Sequence, residues 1–269
     1  LLWVFFSTAT VALAFRFYVR FRCFRKLLVD DYLVGFAWIL LLMSACIWFM
    51  TIDGMYELSY VSAGMALPSV NFPHIAHRFL VGSNVALIMF YTGLWSIKLN
   101  FLVFFYRLGD KIRLYNIFWW IVFASTIASG LACIGDTQYH CFSDSLEEIF
   151  THCHTNAAIR YQEIAIAVNC ALDVVTDLMI MSLPISLLWS VRIGFGRKVA
   201  LVGLFSLVVI TMTFAIIRVT VVSKGYTTTQ QGARHQAELS WLYFWSFVEF
   251  AIAVLVACLV SFRALFAQK

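Results

Sequence analysis

The chain has 269 residues and a formal net charge of +5, but only 12% of its residues are charged, whereas 62% are hydrophobic. Its mean hydropathy is +0.88. A soluble globular domain carries about 25% charged residues, so this composition excludes a water-soluble fold. A helix crosses a hydrocarbon core of about 30 Å with about 20 apolar residues. The length therefore predicts an all-α bundle of seven membrane-spanning helices, forming a single domain over residues 1–269.

Seven apolar stretches follow one another along the chain, and each is continuously apolar. Lipid offers no hydrogen-bond partner to the backbone, so continuous apolar stretches predict helices. The opening stretch lacks the basic start of a signal peptide, and we interpret it as a shortened first span. The predicted spans are Leu1–Phe17, Tyr32–Ile52, Phe79–Tyr106, Ile117–Cys133, Ile164–Val191, Val199–Val222 and Leu239–Ser261.

Lysine and arginine are distributed unequally between alternate loops. One set of loops holds Arg16, Arg20, Arg22, Arg25, Lys26, Arg107, Lys111, Arg113, Arg192, Arg197, Lys198, Arg263 and Lys269. The other set holds only Arg78, Arg160, Lys224 and Arg234. Basic loops face the cytoplasm. The pattern therefore predicts an N-terminus outside and a C-terminus in the cytoplasm, and we expect the plasma membrane as the location.

Ionisable side chains inside the spans point to a polar network in the interior of the bundle. Each costs about 2.5–3.5 kcal/mol at the middle of a membrane helix, and such groups face the interior and pair there. The predicted network, which is also the candidate ligand site, consists of Lys98, Asn100, Asn169, Asp173, Asp177, Arg218 and Glu249. Two interpretations remain open: a site for a ligand, ion or proton, or a set of pairs that only stabilises the bundle.

The depth of these residues suggests which of them meet. Asp173 and Arg218 each lie about 27–28 Å from the cytoplasmic end of their span, so the two are predicted to pair. Lys98 lies lower, at about 13 Å, and its long side chain is expected to reach upward to Asp177 or Glu249.

Three cysteines lie in or near the predicted outer loop between the fourth and fifth spans. Because the outside is oxidising, we expect a disulfide between Cys141 and Cys153, with Cys133 as the alternative partner. Outer cysteines oxidise before they bind zinc, so no metal is expected.

Other features narrow the function by their absence from the sequence. The last span contains no lysine, so retinal is not expected. We see no catalytic dyad and no phosphate-binding loop, and we expect neither an enzyme, nor a cofactor, nor binding to nucleic acid.

Five stretches carry motifs in a fixed order. They are residues 16–38 with the acidic pair Asp30 and Asp31, 92–112 with Lys98 and Arg107, 173–189 with Asp177 and Pro184, 195–220 with Lys198 and Arg218, and 245–266 with Glu249 and Arg263. This ordered set resembles the fungal rhodopsin-like integral membrane proteins, a family that is related to the Pth-eleven-type receptors and includes an integral membrane protein of the satratoxin gene cluster. The resemblance covers nearly the whole chain.

The resemblance implies a receptor-like protein with a cytoplasmic signalling partner. The residues that it places at the cytoplasmic face for that contact are Asp30, Asp31, Arg107, Lys198 and Arg263. The leading hypothesis is therefore a G-protein-coupled-receptor-type sensor of a small molecule. The outer halves of the spans are rich in phenylalanine and tryptophan, which favours an apolar ligand. The rivals are a proton-coupled transporter, an accessory membrane protein of a secondary-metabolite pathway, and a structural membrane scaffold.

Overall fold

The structure is a computed structural model, and it describes residues 2–24, 28–62, 65, 67, 69–109, 113–137, 156–190, 206, 209–213, 215–217, 220 and 233–266. Its helices are α1 (Leu2–Phe24), α2 (Val29–Ser62), α3 (Phe72–Gly109), α4 (Arg113–Gly135), α5 (Asn156–Ser190) and α6 (Ala233–Phe266). The described residues between 206 and 220 are also helical, and they fall within the predicted stretch Val199–Val222. No strand occurs among the residues that the structure describes.

Five of these helices, α1 to α5, are long and apolar enough to cross a membrane, and α6 contains the shorter apolar segment Tyr243–Leu259. Large apolar side chains lie exposed on the outside of the bundle, among them Val11, Phe21 and Phe49. Such a surface is suited to lipid rather than to water. The all-helical fold and the repeated membrane crossings are confirmed.

The first helix extends further than predicted. Its predicted end was Phe17, but α1 continues to Phe24 and carries Arg16 and Arg20, both of which are buried. Both arginines were counted among the loop residues, and a charged side chain inside a span is costly when it has no partner. Here each has acidic partners on α2, so the helix accommodates both.

The second helix begins with acidic residues that satisfy its own backbone. The Asp31 carboxylate accepts a hydrogen bond from the backbone N–H of Leu28 at 3.1 Å. This contact resembles the reciprocal half of a capping box, which satisfies an N–H group at the helix start. Asp30 and Asp31 also lie in the first turn, where negative charge is favourable. The second span was predicted to begin at Tyr32, so the helix begins three residues earlier than predicted and includes both aspartates.

The third helix lies at the centre of the bundle, since α2, α4, α5 and α6 all pack against it. Tryptophans tie it to α4 through the backbone. The Trp95 indole N–H donates to the carbonyl of Thr126, and the Trp119 indole N–H donates to the carbonyl of Leu102, both at 2.9 Å. The central helix is thereby fixed in register with its neighbour, and it positions the site described below.

Close approach of α3 and α6 requires a glycine at residue 93. A methyl group added there would overlap the ring of Phe250, which is fully buried. We expect Gly93→Ala to destabilise the protein by about 1–3 kcal/mol, because the packed ring has little room to move. At Gly35 on α2 the added methyl would lie 3.8 Å from the Phe17 ring, so Gly35→Ala serves as the tolerated control. Thermal unfolding in detergent measures both, and equal midpoints would contradict this packing.

Candidate functional site

A buried lysine joins α3 to α5. Lys98 Nζ lies 2.9 Å from a carboxylate oxygen of Asp173 and 2.9 Å from one of Asp177. It also donates to the backbone carbonyl of Asp173 at 2.8 Å and to the Thr176 hydroxyl at 2.6 Å. We call these four residues the Lys98 cluster. One ammonium group thus meets two carboxylates and two neutral oxygens, away from water.

Helical spacing explains why α5 presents these groups together. Residues three and four apart lie on one face of a helix, and Thr176 and Asp177 follow Asp173 at those spacings. On α3, Trp95 lies nearly one turn before Lys98, and its ring centre is 5.1 Å from Nζ. This distance is within the range of a cation–π interaction. Lys98 is therefore held both by negative charge and by an aromatic face.

The structure shows one of the predicted pairings and adds a partner for Asp173 that was not predicted. Lys98 reaches Asp177, as the depth comparison predicted. Asp173 was predicted to pair with Arg218, which lies outside the described residues, so that pair stays a prediction. The described partner of Asp173 is Lys98. The depth comparison missed this because it measured each residue from its own helix end, as if all the ends lay at one level.

A small cavity adjoins the Lys98 cluster. Its polar lining consists of Lys98, Asp173, Asp177, Thr211 and Glu249, and the other described residues that line it are apolar. The cavity volume is about 50 Å³, which is room for a few water molecules. Pockets for drug-sized ligands are about 300–1,000 Å³. In this conformation the cavity suits water, a small cation or one polar group rather than a whole apolar ligand.

The two predicted asparagines lie apart from this cavity. Asn100 is buried, and its side-chain oxygen has no hydrogen-bond partner in the described part of the chain. The Asn169 amide donates to the Asp136 carboxylate at 3.2 Å and to the Tyr91 hydroxyl at 3.4 Å. Burial raises the pKa of the Asp136 carboxyl, and the hydrogen bond from Asn169 offsets part of that rise. Neither asparagine lines the cavity, so they belong to its surroundings.

A second charged cluster joins α1, α2 and α3, and we call it the Asp30 cluster. The Asp30 carboxylate receives hydrogen bonds from Arg16 at 3.2 Å, from Arg107 at 3.0 Å and from Arg20. The Asp31 carboxylate receives one from Arg16 at 2.9 Å and lies 3.3 Å from Arg20. Three arginines and two aspartates therefore form one network.

Arg16 extends this network to the last helix. Its guanidinium donates to the backbone carbonyl of Ala257 on α6 at 2.7 Å, and the side chain is only 1% exposed. Planar guanidinium groups suit such multiple contacts with carboxylates and carbonyls. Neither Arg16 nor Arg20 was among the predicted site residues. The signal was available, because both lie at helical spacing and a pair of aspartates follows nearby.

The burial of Asp30 and Asp31 argues against the contact role predicted for them. Their side chains are 3% and 1% exposed and are engaged with arginines of the same chain, so they present no surface to a cytoplasmic partner. Arg107 is different, since its side chain is 41% exposed. Lys198 and the side chain of Arg263 lie outside the described residues, so their contacts stay predictions.

The disulfide prediction also falls on residues that the structure does not describe. Cys141 and Cys153 both belong to that part of the chain, and their pairing stays a prediction. Cys133, the alternative partner, lies buried in α4. No cluster of potential metal ligands occurs among the described residues.

These helices, with their apolar exteriors and their charges paired inside, define a multi-pass integral membrane protein. The sequence model of the fungal rhodopsin domain matches residues 15–268. The chain therefore belongs to the fungal rhodopsin family. Comparison with curated proteins and with solved structures finds no significant match.

Proposed function

We propose that this protein is a receptor-like sensor of a small molecule, with seven membrane helices, an outer N-terminus and a cytoplasmic C-terminus, in the plasma membrane. The distribution of lysine and arginine supports the orientation. The helical residues between 206 and 220 support a further helix between α5 and α6. The chain acts as a non-catalytic protein in this proposal.

The observation that carries the proposal is that α3 bears both charged contacts. Lys98 is held by α5, and nine residues later Arg107 is held by Asp30 of α2. A helix rises about 1.5 Å per residue, so the two contacts are about 14 Å apart along one rigid element. Movement of α3 relative to α5 would thus strain the Arg107 contact. This arrangement has the parts of a switch, in which a ligand shifts the balance between two packings.

The ligand in this proposal carries a polar or cationic group that competes with Lys98 for the carboxylates of α5. Those carboxylates and Glu249 give the cavity its acidic side. Because the cavity now has room for only a few waters, binding requires α3 and α5 to separate. That separation is the movement that would release Arg107. A cytoplasmic partner then meets the freed guanidinium, which is already partly exposed.

Proximity labelling of cytoplasmic proteins tests this without knowledge of the ligand. Asp177→Asn weakens the hold of α5 on Lys98, while Asp173 still compensates the lysine charge. We expect this change to increase labelling of the partner about fivefold, which is at the lower end of typical coupling between sites. Adding Arg107→Ala should abolish the increase. Arg113→Ala, at an exposed arginine of α4, is the matched control and should leave labelling unchanged.

Two results would contradict the receptor proposal. One is the same labelled set in wild type, Asp177→Asn and the double variant. The other is an equal loss of labelling in Arg107→Ala and Arg113→Ala, which would indicate a general effect of basic charge.

A proton-coupled transporter is the second candidate, and the acidic lining of the cavity favours it. Carboxylates within a membrane bundle are typical of proton relays. This candidate predicts that proteoliposomes take up a small molecule, that the uptake depends on a pH gradient, and that Asp177→Asn abolishes it. The receptor proposal predicts partner recruitment without uptake, so the two experiments together distinguish the candidates.

A further inference from the structure

A groove lies on the outer surface of the bundle between α2 and α3, away from the Lys98 cavity. Its basic side is formed by His74, His77 and Arg78 and its apolar side by Ile47, Met50 and Val81. The groove volume is about 530 Å³, which falls within the range of small-molecule pockets. None of the predicted site residues lines this groove.

Close packing of the two helices forms the floor of this groove. A methyl group added at Gly82 would lie 2.9 Å from a methyl carbon of Thr51 and 3.3 Å from one of Ile47. The helices therefore approach closely at this level. Met50 is 65% exposed beside this contact. The groove thus opens sideways, toward the apolar outer surface of α1 and α2, which is suited to contact with lipid.

The basic side chains of the groove are not used within the part of the chain that is described. The side chains of His74, His77 and Arg78 make no hydrogen bond or ion pair with another described residue. No acidic residue is among the described residues that line the groove. Two acidic residues of α2 follow the groove residues closely in sequence: Asp53 is exposed, and Glu57 accepts a hydrogen bond from Ser69.

The position of these groups along α3 matches the layers of a bilayer. Helix α3 begins at Phe72, so the basic groups lie in its first two turns, where basic side chains extend to the interface. Val81 lies about 4–10 Å deeper along the helix, at the level of acyl chains. A basic rim above an apolar groove is complementary to an anionic headgroup above a hydrocarbon chain.

We infer that this groove binds an anionic lipid of the surrounding membrane. The headgroup phosphate lies against Arg78, His74 and His77, and one acyl chain lies along Met50 and Val81. Arginine suits a phosphate because its planar fork donates two parallel hydrogen bonds. This inference does not depend on the receptor proposal, since it concerns a different surface and a different ligand.

Spin-label spectroscopy of the full chain in phosphatidylcholine vesicles tests the inference. The probes are spin-labelled phosphatidic acid and spin-labelled phosphatidylcholine with identical chains, so only the headgroup differs. The motionally restricted fraction of each probe gives its relative association with the protein. We expect wild type to prefer phosphatidic acid. Arg78→Gln should lower that preference about fivefold, which corresponds to about 1 kcal/mol per basic residue at a membrane surface.

The control is Arg160→Gln, at an exposed arginine near the start of α5. It removes the same charge elsewhere and should leave the preference unchanged. His74→Gln, His77→Gln and Arg78→Gln combined should abolish the groove's contribution, with the melting temperature confirming the fold. An equal effect of Arg78→Gln and Arg160→Gln would overturn the inference, as would full preference in the triple variant. Displacement of the probe by millimolar inorganic phosphate would overturn the lipid as the occupant.

Discussion

Lys98→Met is expected to remove most of the folded protein, at a cost of about 3–5 kcal/mol. The substitution keeps an unbranched side chain of similar length but leaves the carboxylates of Asp173 and Asp177 buried beside each other. Removal of one partner from a buried ion pair is destabilising on this scale because the remaining charge is neither hydrated nor compensated. The yield of monodisperse protein in detergent and its thermal unfolding midpoint measure the loss.

The matched control removes the charges on both sides. In the triple variant Lys98→Met with Asp173→Asn and Asp177→Asn, no buried charge remains in the Lys98 cluster. Replacing a whole buried ion pair by neutral groups is often nearly neutral for stability. We therefore expect the triple variant to recover most of the folded yield, and a triple variant no more stable than Lys98→Met would contradict the ion-pair account.

The same electrostatic argument explains what could be predicted from the sequence. An isolated charge in a continuous apolar stretch must find a partner, and this predicted the interior position of Lys98, Asp173 and Glu249, which the structure shows buried. It could not decide the full set of pairs, since Lys98 meets Asp177, one of its two predicted partners, but also Asp173, which was not predicted. Pairing depends on helix tilt and on the relative height of neighbouring helices, and neither quantity is contained in a single apolar stretch.

The predicted end of the first helix was wrong for a related reason. The first span was predicted to end at Phe17, and Arg16 and Arg20 were counted among the loop residues. In the fold, Arg16 and Arg20 lie against Asp30 and Asp31 and are neutralised there. A charge count along one segment cannot detect such compensation, because the compensating residues come from the next helix. Paired acidic residues soon after an arginine cluster are the signal that would have revealed it.

Asp30→Asn is expected to produce the second large effect, a loss of about 3 kcal/mol or more. Asp30 receives hydrogen bonds from Arg16, Arg20 and Arg107, and the amide that replaces its carboxylate carries no charge and has only one acceptor oxygen. Arg16 and Arg20 retain Asp31, so one carboxylate then compensates two buried guanidinium groups, and Arg107 loses its carboxylate partner. The uncompensated positive charge is buried, so its cost is that of breaking a buried pair.

Two further variants distinguish the loss of a buried charge from the loss of an exposed one. Arg107→Ala removes a partner of the same carboxylate, but its side chain is 41% exposed, so we expect a cost of about 0–1 kcal/mol. Asp53→Asn changes an exposed acid of the same helix and should have no measurable effect. Unfolding midpoints of the three variants in one detergent decide the matter. If Asp30→Asn and Arg107→Ala lose equal stability, the contact between α2 and α3 alone holds this end together, and α1 contributes nothing through its arginines.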